Sequence, residues 1–143
     1  MSRVLATAEA VIAAPRQAVY EFFVDRERGN GQLPLGFTLV RPGGTERAGV
    51  GARYRFGIGK LGPVEETIEL VPAQRMRYEV ISGMPVRRHT GTISFADAPT
   101  GGTTVTYQME SEPSLPAPAA LVEPALRLLI TRFLRAADKT LTT

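Results

Sequence analysis

Two titratable side chains stand at positions of predicted strands where acid–base chemistry could occur. His89 is the single histidine of the chain, and it alternates in phase with the apolar Ile93. Glu66 alternates in phase with Ile68. Because successive strand side chains point to opposite faces, both polar residues are predicted to face the interior, about 10 Å apart across an intervening strand. They are candidate catalytic residues for proton transfer, or anchors that orient a bound molecule. The competing interpretation is a histidine hydrogen-bonded at a cavity rim and a glutamate at a frayed strand end.

Composition argues against several other chemistries. The chain contains no cysteine, so a disulfide framework, a thiol nucleophile and a thiolate metal site are excluded. A single histidine cannot form a histidine-rich metal site, and no metal or cofactor is expected. The sequence has no Gly-x-Ser-x-Gly elbow, and its glycine runs lack the lysine of a phosphate-binding loop.

Apolar periodicity and turn residues divide the chain into strands and helices. Alternating segments predict strands at 4–13, 35–42, 50–58, 64–71, 75–83, 86–95 and 103–111. Helical spacing follows Pro15 and returns at 120–141, where Pro124 is predicted to kink the helix or to mark its start. The order predicts one α+β domain over 1–143, in which the long helix buries one stripe against an antiparallel sheet.

The inward phase of each strand and the apolar stripe of the last helix predict the lining of an interior pocket. The residues expected to bind a ligand there are Tyr54, Phe56, Glu66, Ile68, Met76, Tyr78, His89, Tyr107, Met109, Leu129 and Phe133. Tyrosine carries a polar hydroxyl on an apolar ring, and methionine adapts to irregular shapes. Ordinary core packing is the competing interpretation for the tyrosines and methionines.

The charge pattern indicates a solvated outer face of the sheet. The net charge is only +3. The outward phase is expected to carry alternating basic and acidic rows, formed by Arg53, Arg55, Glu65, Glu69, Arg75, Arg77 and Glu79. The basic residues of the last helix are not interleaved with aromatic residues, so no nucleic-acid partner is expected.

The distribution of apolar and charged residues also predicts where the protein is located. No segment reaches the ~18 uninterrupted apolar residues of a membrane span, and Glu9 interrupts the alanine-rich start that would otherwise suggest a signal peptide. The chain is therefore expected to be cytoplasmic and not an integral membrane protein. A homodimer is compatible with the sequence.

Four stretches, together with the order of elements, carry a family resemblance. They are IAAPRQAVYEFFVD at the first strand–helix junction, VGARYRF, the hairpin ELVPAQRMRYEV, and GTISFADAPTGGTTVTYQME before the last helix. The chain thereby resembles the START-like (helix-grip, SRPBCC) superfamily, in its polyketide cyclase/dehydrase-like branch. The resemblance implies a curved antiparallel sheet of about seven strands wrapped around a long C-terminal helix. One or two short helices would follow the first strand.

The resemblance also implies an apolar cavity between the sheet and the C-terminal helix. The expected function is binding of a small hydrophobic ligand there, such as a lipid, a polyketide or another apolar metabolite. The alternative is a polyketide aromatase/cyclase or dehydrase, in which His89 or Glu66 moves a proton and a tyrosine stabilises an enolate. A module that binds a peptide or a second protomer in the groove is a third class. The residues leave open whether the chain is an enzyme.

Overall fold

Seven strands and two α-helices follow one another in the computed structural model, which describes residues 3–142. The strands are β1 (Val4–Ile12), β2 (Gly36–Arg41), β3 (Arg53–Gly57), β4 (Val64–Val71), β5 (Arg75–Ser82), β6 (Val86–Asp97) and β7 (Thr103–Pro113). The helices are α1 (Arg16–Val24) and α2 (Ala119–Thr142), and a 3-10 helix (Arg26–Gly29) follows α1. This arrangement confirms the predicted helix-grip fold.

The strands form one antiparallel sheet in the order β1-β7-β6-β5-β4-β3-β2. Strands β2 to β7 each lie beside their neighbour in sequence, since antiparallel strands can be joined by short turns. The first strand pairs with the last, Val4 opposite Ser111 and Ile12 opposite Thr103. The sheet curves, and α2 packs against β1 and β7.

The short helix α1 brings one arginine into the interior. Pro15 precedes the helix with φ −62°, a conformation that suits a helix start. Apolar residues of α1, including Val19 and Phe23, are buried. The backbone N–H of Asp25 donates to the carbonyl of Glu21, and the chain then turns into the 3-10 helix, whose first residue is buried.

The C-terminal helix buries the stripe that its spacing predicts. Its buried residues are Leu126, Ile130, Phe133, Leu134, Ala136 and Ala137. The helix begins at Ala119 and includes Pro124 in its interior. The alternative in which Pro124 marks the start of the helix is therefore wrong.

Strand β4 departs from the predicted alternation. Glu65 lies opposite Tyr54 of β3 and Val80 of β5, whereas Glu66 lies opposite Arg53. Glu65 is buried and Glu66 is half-buried. The predicted inward direction of Glu66 and the predicted outward direction of Glu65 are both wrong.

A β-bulge explains this reversal. Thr67 lies opposite the inward Tyr78, but the next paired residue is Glu69, so Ile68 is an extra residue in β4. One extra residue reverses the side-chain phase on its two sides. The inward and outward alternation that holds at Leu70 is therefore reversed on the other side of the bulge, at the start of the strand.

The outer face of the sheet carries the charged rows that the sequence predicts, with Glu66 in the place expected for Glu65. Glu66 Oε1 lies 2.7 Å from Arg53 Nε and 3.2 Å from Arg41 Nη2. Glu69 Oε1 lies 2.8 Å from Arg75 Nε. Because these arginines are at least one-third exposed, each pair contributes at most about 1 kcal/mol.

Candidate functional site

A cavity of about 470 Å³ lies between the sheet and α2. Its apolar wall is formed mainly by Leu35, Phe37, Phe56, Ile58, Leu61, Val80, Met84, Met109, Leu129 and Phe133. Glu65, Tyr78 and His89 add polar groups to this wall. Protein cores are close-packed and contain few voids larger than a water molecule, so a space of this size is a candidate ligand site.

Exposed apolar side chains surround the mouth of the cavity. Ile58 and Leu61, in the turn between β3 and β4, are 69% and 78% exposed. The turn is tight, because a Cβ atom on Gly62, whose φ is +129°, would lie only 2.0 Å from the carbonyl oxygen of Phe56. Leu35 adds a third exposed apolar residue at the rim.

The structure brings some of the predicted site residues to this cavity and leaves others elsewhere. Those that line it are Phe56, Tyr78, His89, Met109, Leu129 and Phe133. Tyr54, Met76 and Tyr107 are buried in the core and do not line it, and burial raises the pKa of Tyr54 to about 12. Ile68 occupies the β4 bulge, and Glu66 faces outward.

Arg26 and Glu65 form a buried ion pair that is absent from the predicted site residues. Arg26 Nε lies 2.7 Å from Glu65 Oε1, and the two side chains are only 3% and 11% exposed. A signal for Arg26 was present in the sequence. Val19, Phe23 and Arg26 follow helical spacing, so the arginine continues the apolar face of α1.

Aromatic rings enclose the guanidinium group of Arg26. Its central carbon lies 4.4 Å from the ring centroid of Phe37, 5.1 Å from that of Tyr78 and 5.6 Å from that of Phe133. Such contacts are attractive because the negative face of each ring meets the cation. The packing holds the guanidinium group in one position, on the side of Glu65 that is away from the cavity.

Each member of the ion pair shifts the pKa of the other. Burial is the largest single influence on Arg26 and lowers its pKa, but the negative charge of Glu65, together with Tyr107 and Tyr78, outweighs burial, so the pKa is raised. Burial raises the pKa of Glu65, and the nearby Arg26 opposes that rise. The arginine therefore stays charged, and its charge favours the ionised form of the glutamate.

A pair of buried tyrosines adjoins the ion pair. The hydroxyl groups of Tyr78 and Tyr107 are hydrogen-bonded at 2.5 Å, and burial raises the pKa of each. The ring of Tyr78 lies directly over Gly91 of β6, where a Cβ atom would come within 2.2 Å of it. Glycine at this position makes room for the ring, which forms part of the cavity wall.

His89 lies in the cavity wall, as its strand phase predicts. The residue is 3% exposed, and its Nδ1 is hydrogen-bonded to Ser111 Oγ at 3.0 Å. Val80 of β5 lies opposite Glu65 of β4. On the other side of β5, Glu79 pairs with Thr90 of β6. The next position in this antiparallel register sets Val80 beside His89. Glu65 and His89 thus flank Val80, with backbones about 10 Å apart.

Burial of His89 predicts a pH dependence of stability. Burial lowers its pKa from 6.5 to about 4. Between these values the unfolded chain binds a proton that the folded protein does not, so stability falls as the pH is lowered. From pH 7 to pH 4, the wild-type protein should lose about 2–3 kcal/mol more unfolding free energy than a His89→Asn variant, measured by urea denaturation. Equal losses in the two proteins would show that His89 is not held neutral by burial.

Within residues 3–142, no cluster of three or more potential metal-binding side chains is present. In the same range, neither helix combines the length and the apolar character needed to cross a bilayer.

Solved structures share this fold over nearly the whole chain. TTHA0849 from Thermus thermophilus is 22% identical with a TM-score of 0.78, and the match covers 96% of each chain. A START superfamily protein from Mycobacterium smegmatis is 15% identical with a TM-score of 0.76, covering 97% of this chain and 96% of that one. The di-domain ARO/CYC protein BexL from the BE-7585A biosynthetic pathway is 20% identical with a TM-score of 0.76, covering 99% of this chain and 50% of BexL. At these identities the likeness shows the fold alone.

Comparison at the level of families is more specific. No curated protein matches the chain. The family described as polyketide cyclase / dehydrase and lipid transport matches residues 3–142. That match spans the whole helix-grip sheet and α2, including every residue of the cavity wall. The chain therefore belongs to the polyketide cyclase / dehydrase and lipid transport family.

Proposed function

We propose that this protein binds a small apolar ligand in the cavity between the sheet and α2. The observation that carries the proposal is a cavity of about 470 Å³ with a mostly apolar wall and an exposed apolar rim. Ligand sites of soluble proteins have volumes of about 300–1,000 Å³ and similar walls. Removing apolar surface from water would supply most of the affinity, about 25 cal/mol per Å² before ordering costs.

Family membership supports the same class of function. The family description includes lipid transport as well as cyclase and dehydrase activities. Binding requires only the cavity, whereas catalysis also requires groups that exchange protons near the working pH. His89, whose pKa burial lowers to about 4, is neutral at pH 7 and is a weak base. We therefore favour binding over proton transfer by His89.

A polyketide aromatase/cyclase or dehydrase is the second candidate. The observation that favours it is the presence of a carboxylate, Glu65, and an imidazole, His89, on the wall of one cavity. Such a cavity could fold a flexible chain so that its own carbons meet, and proximity would carry much of the rate enhancement. Retention of full turnover of a polyketide substrate by His89→Ala would remove this residue from the mechanism.

A substitution that blocks the cavity tests the leading proposal. Leu129 is half-buried in the wall, so Leu129→Trp should project an indole into the space that the ligand needs. We expect the neutral fluorescent probe N-phenyl-1-naphthylamine to bind the wild-type protein saturably. Loss of contact with several wall residues should weaken binding by at least about tenfold in the variant. Fluorescence titration gives both dissociation constants.

The neighbouring residue provides the matched control. Leu128 is 55% exposed, lies on the same helix and does not line the cavity. Leu128→Trp should therefore bind the probe as the wild-type protein does. Absence of saturable binding to the wild-type protein, or equal binding by Leu129→Trp and Leu128→Trp, would contradict the proposal.

A further inference from the structure

We propose that Glu65 accepts a hydrogen bond from a hydroxyl group of the ligand, so that the cavity selects apolar alcohols and phenols over carboxylic acids of the same skeleton. The inference rests on the proposed function, because it concerns which small apolar molecules the cavity takes. It assigns a specificity-determining role to a residue that the strand pattern predicted to face solvent.

Glu65 presents a hydrogen-bond acceptor to the cavity. Its side chain lines the cavity while remaining 11% exposed, so little solvent competes for it. The ion-pair contact joins Arg26 Nε to Oε1, and a carboxylate has about four lone-pair sites, so Glu65 keeps acceptor capacity for a group in the cavity. An ionised carboxylate can only accept hydrogen bonds, so its partner on the ligand must be a donor.

The guanidinium group of Arg26 lies outside the cavity wall. Arg26 does not line the large cavity; it borders a separate void of about 20 Å³ on the side of Phe22 and Asn30. The rings of Phe37 and Phe133 hold the guanidinium group there. A ligand in the cavity therefore meets the carboxylate first, and the guanidinium group lies behind it.

The remaining wall residues exclude an anionic head group. Among the described residues that line the cavity, none is lysine or arginine. His89 is a buried residue whose imidazole is already hydrogen-bonded to Ser111. A ligand carboxylate would be desolvated without a cation and would lie close to the negative charge of Glu65. A neutral hydroxyl group avoids both penalties and gains a hydrogen bond to a charged acceptor.

Three ligands with one skeleton test this selectivity. The dissociation constants of 2-naphthol, naphthalene and 2-naphthoate are measured at pH 7 by displacement of N-phenyl-1-naphthylamine. We expect 2-naphthol to bind about tenfold tighter than naphthalene, the gain typical of a hydrogen bond to a charged group. We expect 2-naphthoate to bind more weakly than naphthalene.

The outcomes separate this inference from the proposed function. Equal affinity for 2-naphthol and naphthalene, or tightest binding of 2-naphthoate, would overturn the role of Glu65 and leave apolar binding intact. Failure of all three ligands and of the probe to bind would overturn the proposed function itself.

Variants locate the effect at Glu65. Glu65→Gln weakens the acceptor but leaves Arg26 buried and unpaired, so the double variant Arg26→Met/Glu65→Leu is used if the single variant does not fold. In either, the advantage of 2-naphthol over naphthalene should fall below about threefold, because the charged acceptor is gone. Glu66→Gln is the matched control, since this neighbouring carboxylate faces outward against Arg53 and should leave the advantage unchanged. A tenfold advantage that survives in the double variant would overturn the inference.

Discussion

Replacing Arg26 with methionine should lower the free energy of unfolding by about 3–5 kcal/mol, the range measured when one member of a buried ion pair is removed. The substitution leaves Glu65, whose side chain is only 11% exposed, without its counter-ion. It also removes the cation from its position 4.4 Å from the ring centroid of Phe37. Urea denaturation of the purified variant measures the change.

Two further variants show whether the unpaired charge causes the loss. Arg28 lies in the same 3-10 helix, but its side chain is 51% exposed and its nearest carboxylate oxygen, on Asp25, is 3.6 Å away. Arg28→Met should therefore change stability by less than about 1 kcal/mol. Arg26→Met/Glu65→Leu should recover most of the loss, because an apolar pair needs no counter-ion. If Arg26→Met were no less stable than Arg28→Met, the buried ion pair would not contribute to folding.

Replacing Phe133 with alanine should lower the free energy of unfolding by about 3–5 kcal/mol, as large aromatic truncations in cores do. Phe133 of α2 is 6% exposed and stacks on Tyr107 with ring planes inclined by 16°. It also contacts the rings of Phe37 and Phe56, with centroids 5.8 Å and 5.3 Å away. The truncation removes the side chain on which these rings converge and leaves a cavity in its place. Thermal and urea unfolding give the change.

Leu128→Ala is the control for Phe133→Ala. The two residues lie on the same helix, but Leu128 is 55% exposed and lies outside the core. Its truncation should change stability by no more than about 0.5 kcal/mol. A comparable loss in both variants would mean that α2 is sensitive to any shortened side chain, and that the aromatic cluster around Phe133 has no special weight.

The buried ion pair connects stability with the proposed ligand site. Apolar residues of similar volume would fill the same space without the cost of removing two charges from water. The arrangement is therefore a weak source of stability, but it presents a fixed acceptor to the cavity through Glu65. The stability of the double variant can therefore match that of the wild-type protein while its preference for hydroxyl-bearing ligands is lost.

Much of the fold was predictable because it follows from short-range patterns. Alternation places Tyr78, His89 and Met109 on the inner face of β5, β6 and β7, and the structure confirms all three. Helical spacing places Leu129 and Phe133 on the buried side of α2, where they line the cavity. Such patterns survive into the structure because each depends only on backbone periodicity and on the removal of apolar surface from water.

The sequence patterns by themselves thus determined the order of strands and helices, the inner faces of the regular strands and the apolar stripe of α2, and the family resemblance implied the helix-grip fold. Only the tertiary structure decided which carboxylate of β4 faces the cavity. Pairing with β5 makes Ile68 an extra residue in the strand, and this brings Glu65 inward and turns Glu66 toward Arg53 of β3. The burial of Arg26 likewise depends on Glu65, Phe37 and Phe133, which come together only after folding. A charge can be buried only where distant residues neutralise it, so no local pattern could assign this pair.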